Sequence, residues 1–452
     1  MKTLLRNIHT LVTCDDADRI LHGVDMLCDG PAVAAIGQLP DDTRADDVID
    51  AGNLIVYPGL INTHHHLYQY FTRNLPALQK YELFDWLTAL YDIWEGLDAE
   101  TVRYSSLAGL GELMRHGCTT CFDHHYVFPN GRDGLIETQF EVADQLGIRM
   151  TASRGSMNLS RKDGGLPPES VVQDTDTILL DSERLIKAYH DPSRFSMHRM
   201  VLAPCSPFSV TADLLRESAA LARQYGVLLH THLCETIDEE NFTLARTGMR
   251  PLAYMQSLGW VGNDVFYAHG IHFNDEEIRL LAETGTGIAH CPCSNMKLAS
   301  GTARIPDLLA AGVKVGLAVD GSASNDGSNL MDEMRAAYLL HRAVWGKRAP
   351  SGYDILRLAT RGSASLLGRD DIGRLSVGCA ADFFCIRADR SDLLCAVRSP
   401  EDLFGTVGYH RAADLVYVNG VKTVEDGELT RMDDGAILEG GTRAVHRLLD
   451  RA

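Results

Sequence analysis

The sequence predicts an α/β protein, a (β/α)8 barrel of the TIM type with a small β-sandwich built from both ends of the chain. Three observations predict it. The chain has 452 residues, more than the roughly 250–300 that one hydrophobic core can hold. Its middle alternates apolar, strand-like segments with stretches of helical period, and its two ends are rich in short apolar runs.

The two ends predict the sandwich. Residues 2–50 contain the runs LLRNI, LVTC, VDMLC and VAAIG, separated by Gly, Pro and Asp, which is typical of short antiparallel strands. The same character returns after Gly373 in RLSVG, ADFFCIRA, ADLVYVNG and VKTV, and residues 440–452 predict a terminal helix. We therefore expect residues 1–57 and 369–452 to form the sandwich with a C-terminal helix.

Residues 58–368 predict the barrel. Eight near-continuous apolar segments occur here or just before, with helical patterns between most of them, and such segments are typical of parallel strands covered by helices. A count of eight favours a closed barrel over an open sheet. The segments are LIVYPGLIN, TTCFDHH, IRMTASRG, MVLAPCSPF, VLLHTHL, VFYAHGIHF, GTGIAHCPC and VKVGLAVDG.

Polar side chains follow these strands where each one ends. Because the carboxyl ends of barrel strands meet on one face, where active sites of such barrels lie, residues distant in sequence are expected to surround one point. In strand order these residues are His64 and His66, Asp123 to His125, Arg154, Cys205, His232, His269, His290 and Asp320.

Charge and composition exclude several classes of partner. The formal net charge is −19, which opposes binding to a nucleic-acid backbone or an anionic membrane. No apolar run approaches the about 18 residues of a membrane span, and Asp15 and Asp16 interrupt the start before a signal sequence could form. The 11 Cys are scattered rather than regularly spaced, so we expect a reducing, cytoplasmic location.

The residue types at the strand ends indicate a metal site. His64 and His66 leave the same side of an extended segment and can hold one ion together. With His232 and Asp320 they form an imidazole and carboxylate set that suits zinc or iron with one open position. The alternative for His290, Cys291 and Cys293, a structural zinc knuckle, lacks the second ligand pair such sites need.

These motifs, taken in order, resemble the amidohydrolase superfamily. They are the runs from Pro58 to His66, from His230 to Glu235, Ala268 with His269, from His290 to Lys297, and from Val319 to Gly321. The resemblance implies that His64, His66, His232 and Asp320 are the metal ligands. Two-metal members carry a carboxylated Lys on the fourth strand, and since that strand has none here, we expect one divalent ion. Zinc is the expected ion, and iron(II) stays open.

The same resemblance implies the catalytic residues. Asp320 would accept the proton of the attacking water, and Glu235 would protonate a ring nitrogen of the substrate. His269 would stabilise the charge that develops on the attacking oxygen. His65 would point to the opposite side and take a supporting role.

The form HLxE without the fourth-strand Lys is similar to the deaminase branch of the superfamily. That branch acts on aminated heteroaromatic rings. Gln69 and Arg154 are the candidate substrate contacts, because an amide and a guanidinium can each form hydrogen bonds with the carbonyl edge of a ring. Arg154 could instead pair with Asp123 or with an acid at the rim of the barrel.

Within the branch, NTHHHLYQ, FTRNLPALQ and the FDWL and YDIWEGLD stretches most resemble enzymes that deaminate 8-oxoguanine to uric acid. Hydroxytriazine aminohydrolases and guanine or isocytosine deaminases are the alternatives that motifs alone do not separate. A catalytically dead barrel scaffold is the remote alternative from another class. Cys205, Ser156 and His125 are unranked candidates for contacting an 8-oxo group, and a homo-oligomer is the expected assembly.

Overall fold

The computed structural model describes residues 1–450. Within them the strands fall into sheets of four, seven and eight. Their bounds are β1 Lys2–Ile8, β2 Thr10–Val12, β3 Ile20–Leu21, β4 Val24–Asp29, β5 Ala32–Gly37, β6 Asp47–Asp50, β7 Leu54–Pro58, β8 Leu60–Asn62, β9 Cys118–His125, β10 Arg149–Ser156, β11 His198–Pro204, β12 Leu228–Leu233, β13 Val265–His269, β14 Gly287–His290, β15 Val315–Leu317, β16 Phe383–Arg387, β17 Leu415–Val418, β18 Val421–Glu425 and β19 Glu428–Leu429.

The α-helices lie mostly between the strands of the eight-stranded sheet. Their bounds are α1 Leu83–Trp94, α2 Ala99–Arg115, α3 Leu135–Leu146, α4 Thr175–Tyr189, α5 Ala212–Tyr225, α6 Ile237–Thr247, α7 Pro251–Ser257, α8 Asp275–Thr284, α9 Pro292–Lys297, α10 Ile305–Ala310, α11 Ser322–Asn325, α12 Leu330–Trp345, α13 Gly352–Arg357, α14 Ser363–Leu366, α15 Leu403–Thr406 and α16 Asp434–Leu449.

The eight-stranded sheet is the predicted barrel. Strands β8 to β15 pair in sequence order, and every pair is parallel. The last strand returns to the first, since both the amide N–H and the hydroxyl of Thr63 donate to the carbonyl oxygen of Leu317, the hydroxyl at 3.0 Å. The strands are buried almost throughout, as a sheet covered by helices requires. The fold-class prediction is confirmed.

The two smaller sheets come from the chain ends. The four-stranded sheet has the order β5-β4-β1-β6, and the seven-stranded sheet has the order β19-β18-β17-β16-β7-β2-β3, so it joins both ends of the chain. Apolar residues of the two sheets, among them Leu5, Met26, Val56 and Phe383, share one core. The division into units of 1–57 with 369–452 and of 58–368 stays a prediction.

The first predicted strand is divided between two sheets, which corrects the expectation of one continuous segment. Leu54–Pro58 pairs with β16 and β2, whereas Leu60–Asn62 starts the barrel. The break falls at Gly59, where an added Cβ would lie 2.2 Å from the hydroxyl oxygen of Thr119. Only a residue without a side chain allows the chain to pass so close to β9.

The C-terminal segment differs from the prediction in two places. RLSVG forms a turn rather than a strand, with Gly378 at φ +86°. The terminal helix begins at Asp434, before the expected Gly440, because the side chain of Asp433 caps it by accepting the backbone N–H of Ala436. Residues 451 and 452, which the helix was expected to include, lie outside the described residues. No helix in the described part of the chain combines the length and apolarity that crossing a bilayer requires.

Candidate metal and active site

The predicted ligands meet at the carboxyl ends of the barrel strands. His64 and His66 follow β8, His232 lies in β12, and Asp320 follows β15. The Nε2 atoms of His64 and His66 each lie 3.3 Å from Oδ1 of Asp320, and the Nε2 atoms of His66 and His232 lie 3.2 Å apart. All four residues are at least nine-tenths buried. The structure therefore brings the four predicted ligands together.

The outer ring nitrogens of two histidines determine which nitrogen faces the centre. Nδ1 of His66 donates to the carbonyl oxygen of His124 at 2.6 Å, and Nδ1 of His232 donates to that of Cys205 at 2.5 Å. In a neutral imidazole the other nitrogen, Nε2, then carries a lone pair. Two lone pairs 3.2 Å apart repel each other unless a cation lies beside both.

Nε2 of His64 also carries a lone pair, because its Nδ1 donates to His230. Nδ1 of His230 donates to the carbonyl oxygen of Phe266 at 3.0 Å, so its Nε2 accepts from Nδ1 of His64 at 2.9 Å. Nε2 of His64 is left buried and without a hydrogen-bond partner. Burial lowers the pKa of His64 to about 3, which keeps the ring neutral.

These residues fit a divalent ion. Three Nε2 lone pairs and one carboxylate oxygen converge, and neighbouring donors of a tetrahedral zinc site with bonds of about 2.1 Å are separated by about 3.4 Å. The measured separations of 3.2 and 3.3 Å match that spacing. The ligand roles themselves stay a prediction.

His124 is a residue that the sequence reasoning did not single out as a ligand. It offers a ring nitrogen within 4.8 Å of the ligand atoms of His64, His66 and His232. Its Nε2 contacts the carbonyl oxygen of Ala203 at 2.8 Å, and its Nδ1 is buried without a partner. Its place at the end of β9, in the run Asp123 to His125, was the signal available from the sequence.

Glu235 and His269 lie on the other side of Asp320. Nε2 of His269 is 3.4 Å from Oε2 of Glu235 and 4.0 Å from Oδ2 of Asp320. Oδ1 of Asn295 accepts from Nδ1 of His269 at 2.9 Å, which fixes the orientation of the ring. Asn295 was quoted only as part of a motif, and the structure shows the contact that the motif provides.

Burial changes the protonation of Glu235. The side chain is 3% exposed, and burial, with a smaller contribution from the negative charge of Asp320, raises the pKa of Glu235 to about 8. The carboxyl group is therefore largely in its acid form at pH 7. A buried acid beside a carboxylate with a cation site is the combination expected of a proton donor.

The cavity above these residues is small. Its volume is about 30 Å³, and its walls come from the strand ends and from α1. The lining residues are His66, Gln69, Leu83, Trp86, Leu87, Tyr126, Cys205, Phe208, His232, Glu235, His269, Leu298, Asp320 and Ser324. A groove of about 710 Å³ between α2 and α16 is larger, but it contains none of the predicted site residues.

Gln69 lines this cavity, and its contact with a substrate stays a prediction. Its Oε1 atom is buried without a hydrogen-bond partner, so it remains available to a donor on a ligand. Gly321 provides the room, since a Cβ there would lie 1.9 Å from that oxygen.

Arg154 corrects the prediction of a substrate contact. Its guanidinium donates to Asp181 at 2.8 Å and to Gln173 at 2.7 Å, and it lies 3.8 Å over the ring of Phe128. It lines a different cavity, between α3 and α4, and not the one that holds Glu235. The alternative of pairing with a rim acid is the one the structure shows, with Asp181 as the acid.

The other strand-end residues support the site or lie apart from it. Asp123 accepts the backbone N–H of Leu67 at 2.6 Å and so holds the turn after His66. His65 contacts Ser328 at 2.7 Å, on the side away from the ligands. Among the residues described, neither Cys291 nor Cys293 belongs to a group of potential metal ligands, so the zinc-knuckle interpretation gains no support.

Comparisons with known proteins agree with this geometry. Residues 55–424 match the Amidohydrolase family. The chain is 44% identical to 8-oxoguanine deaminase of Pseudomonas aeruginosa over 99% of each chain. It is 39% identical to hydroxydechloroatrazine ethylaminohydrolase of Pseudomonas sp. (strain ADP), over 99% of this chain and 96% of that one.

A solved structure shares the fold over nearly the whole length. The atrazine chlorohydrolase of Arthrobacter aurescens TC1 complexed with zinc superposes with a TM-score of 0.95 at 35% identity. The superposition covers 98% of this chain and 100% of the other.

Proposed function

The chain belongs to the amidohydrolase family and is a metal-dependent hydrolase of carbon–nitrogen bonds, and from this premise we propose that it deaminates 8-oxoguanine to uric acid and ammonia. The observation that carries the proposal is the buried carboxyl group of Glu235, placed beside His269 and Asp320 at the cluster of ligand nitrogens. An amino group on an electron-poor ring leaves only when the ring nitrogen beside it is protonated, and Glu235 is placed to protonate it.

His64, His66, His232 and Asp320 would hold one divalent ion, for which zinc is our proposal. When bound, such an ion lowers the pKa of water toward neutrality and so supplies hydroxide at pH 7. Asp320 has a second carboxylate oxygen, Oδ2, that faces His269 at 4.0 Å. That oxygen accepts the proton of the attacking water.

Glu235 then delivers the proton that the ring needs. Its carboxyl group protonates N3 of the purine, the nitrogen beside the amino-bearing carbon C2. The oxygen of water adds to C2, and the bond from C2 to the amino nitrogen breaks. The amino group takes the proton held by Asp320 and leaves as ammonia, and the second proton of the water restores the acid form of Glu235. His269 donates through Nδ1 to Asn295, so its Nε2 accepts a hydrogen bond from the hydroxyl group that forms when the oxygen adds.

Substrate recognition is assigned to residues of the cavity. Gln69 presents its unpartnered Oε1 and its amide N–H groups to the edge of the ring that carries N1 and O6. Of the three candidates for contacting an 8-oxo group, Cys205 lines the cavity, and Ser156 and His125 do not. The burial of Cys205 raises the pKa of its thiol to about 12, so the S–H group remains a donor.

The second candidate is a hydroxytriazine aminohydrolase, favoured by the 39% identity to the ethylaminohydrolase. Such a substrate also carries an amine on a carbon between ring nitrogens, and the same acid would serve it. Guanine and isocytosine share the amino edge of 8-oxoguanine and are proposed as weaker substrates. The proposed assembly is a homo-oligomer.

The proposal is tested with zinc-loaded protein and a panel of 8-oxoguanine, guanine, isocytosine and 2-amino-4-hydroxy-s-triazines. For each compound kcat/KM is measured from ammonia release. We expect 8-oxoguanine to have the highest value. Turnover confined to triazines would support the proposed mechanism and reject 8-oxoguanine as the substrate.

The variant Cys205→Ala separates recognition from chemistry. It removes the proposed donor to O8, which guanine lacks, so kcat/KM should fall for 8-oxoguanine and not for guanine. Cys205→Ser, which keeps a donor, is the matched control. Equal losses on both purines would reject the assignment of Cys205.

A further inference from the structure

Glu239 lies next to the proton donor and has no part in the chemistry described above. It occupies the first turn of α6, and its side chain is fully buried. Its carboxylate has no basic hydrogen-bond partner among the described residues. Instead Oε1 accepts the backbone N–H of Cys234 at 2.8 Å, and Oε2 accepts the backbone N–H of Glu235 at 2.8 Å.

The turn that Glu239 holds is strained. Cys234 has φ +53°, the left-handed region that non-glycine residues adopt at a cost. The carbonyl oxygen of Cys234 also accepts the N–H groups of Ile271 and His272, at 2.9 and 3.0 Å. One bent peptide thus joins the turn after β12, which contains Glu235, to the loop that follows His269 at the end of β13.

From these contacts we propose that Glu239 is a positioning residue that aims the carboxyl group of Glu235 at the substrate. It does so by holding the two peptide N–H groups of the turn with its two carboxylate oxygens. The proposal rests on the proposed function, since it presumes that Glu235 donates the proton.

The geometry requires a carboxylate in particular. A carboxylate has two acceptor oxygens, whereas an amide has one acceptor oxygen and one donor nitrogen. In Glu239→Gln the amide nitrogen would face one of the two N–H groups, donor against donor, and the turn would lose one of its two anchors. The side chain keeps its size, so packing alone changes little.

Glu277 offers a matched control. It is also a buried glutamate in the first turn of a helix, α8, where it accepts the N–H of Asn274 at 2.8 Å and pairs with Arg250. It makes no hydrogen bond to Glu235 or Cys234. Glu277→Gln therefore tests the loss of a helix-start carboxylate without the loss of the turn.

The experiment compares the zinc-loaded parent protein with Glu239→Gln, Glu239→Asp and Glu277→Gln. Zinc content, KM and kcat are measured on the best substrate of the panel. For Glu239→Gln we expect full zinc content, KM within about threefold of the parent, and kcat lowered by about tenfold or more, because a misaimed acid affects the reacting step. Glu239→Asp, which is too short to reach both N–H groups, should lower kcat by a smaller factor, and Glu277→Gln should leave kcat within about twofold.

A double variant separates positioning from a general structural role. If Glu239 acts through Glu235, adding Glu239→Gln to Glu235→Gln should not lower the residual rate further. An additive loss would overturn the proposal, as would parental kcat in both Glu239 variants. Full activity of Glu235→Gln alone would instead reject the proton donor, and hence the proposed function.

Discussion

Glu235 is a carboxyl group that burial keeps in its acid form beside a cluster of ligand nitrogens. The reaction needs two carboxyl groups with opposite roles within a few ångströms of each other, an ionised carboxylate at Asp320 and a neutral acid at Glu235. The structure separates them by environment, since Asp320 faces His64 and His66 and Glu235 faces buried surroundings with Ser300 as its hydrogen-bond partner, at 3.4 Å. The assignment of acid and base follows from that difference.

The variant Glu235→Gln should retain its zinc and lose about 10²–10⁴-fold in kcat, the usual contribution of a general acid. The amide keeps the shape and cannot give up a proton. Zinc content by metal analysis and kcat by ammonia release check the two parts separately. A variant with parental kcat would show that another group donates the proton.

The acid form of Glu235 also sets a pH dependence. Activity needs the protonated carboxyl group, so it is present below the pKa of Glu235 and lost as the pH rises through it. That pKa is about 8, and a bound cation lowers it, so kcat should begin to fall at or below about pH 8. The pH profile of kcat measures this, and a profile that rises steadily to pH 10 would contradict it.

Gly321 is predicted to set the position of Gln69. Its backbone has φ −67°, which alanine adopts freely, so Gly321→Ala acts through the Cβ placed 1.9 Å from Oε1 of Gln69. The amide must then leave the cavity, and KM should rise by about tenfold for the loss of about one hydrogen bond. Gln69→Ala is the comparison, and unequal effects of the two variants on KM would speak against a shared cause.

Single residues differ in how well the sequence predicts them. The histidines and Asp320 could be placed because each follows an apolar run that ends at one face of the barrel. Arg154 could not, because a one-residue difference in register along β10 decides between the inner and outer side, and an apolar run does not reveal it. His230 and Glu239 could not either, since their roles depend on contacts with His64, Cys234 and the Glu235 backbone.

Helix α1 forms one wall of the cavity, which is too small for a purine, so we expect α1 to move when a substrate enters. Leu83, Trp86 and Leu87 form one wall of a space of about 30 Å³, whereas a cavity that admits benzene measures about 150 Å³. The segment before α1, residues 79–82, is exposed, and the side chain of Glu82, the residue before the helix, does not cap it.

We expect a ligand to hold α1 closed. Saturating uric acid, the proposed product, should slow backbone hydrogen exchange in residues 76–94 and leave α12 unchanged. Hydrogen exchange with mass spectrometry measures both regions in one experiment. Unchanged exchange in residues 76–94 at saturation would show that the ligand enters by another route.

Close packing of β9 against β10 fixes the positions of the carboxyl ends of these two strands. A Cβ on Gly155 would lie 2.3 Å from the carbonyl oxygen of His125 and 2.8 Å from Cα of Tyr126, both backbone atoms that cannot give way cheaply. Gly155→Ala should lower the free energy of unfolding by about 1–3 kcal/mol, the usual cost of overpacking. Urea unfolding measures it, with Gly327→Ala, whose added Cβ would have only ordinary contacts, as the control.

The barrel and the seven-stranded sheet are joined by a buried ion pair between Arg149 on β10 and Asp382, just before β16. Arg149 also donates to the carbonyl oxygen of Ser196 at 3.0 Å and to Thr120 at 3.1 Å. Asp382 accepts the backbone N–H of Asn419 at 2.7 Å. The pair thus ties together residues 120, 149, 196, 382 and 419, which lie far apart in sequence.

Arg149→Ala should destabilise the whole protein by about 3–5 kcal/mol, because it leaves the charge of Asp382 buried without its partner. Urea unfolding measures the loss. Arg103→Ala removes the exposed pair with Glu141 and should cost less than about 1 kcal/mol. Similar losses in both variants would show that the buried pair does not join the two parts.

The sequence predicts the barrel and the sheets better than it predicts where individual segments begin and end. Eight apolar segments with helices between them were enough to predict the barrel. The apolar runs at the two ends of the chain were enough to predict sheets there. The division of the first segment at Gly59 was not predictable, since it depends on a close contact with the distant residue Thr119.

The most direct test of the account is the product formed from 8-oxoguanine. Zinc-loaded protein and the zinc-loaded variant Glu235→Gln are each incubated with it, and ammonia and the ultraviolet spectrum are followed together. The account predicts uric acid and ammonia in a 1:1 ratio from the parent protein and almost none from the variant. Unchanged 8-oxoguanine with the zinc-loaded parent protein would contradict it.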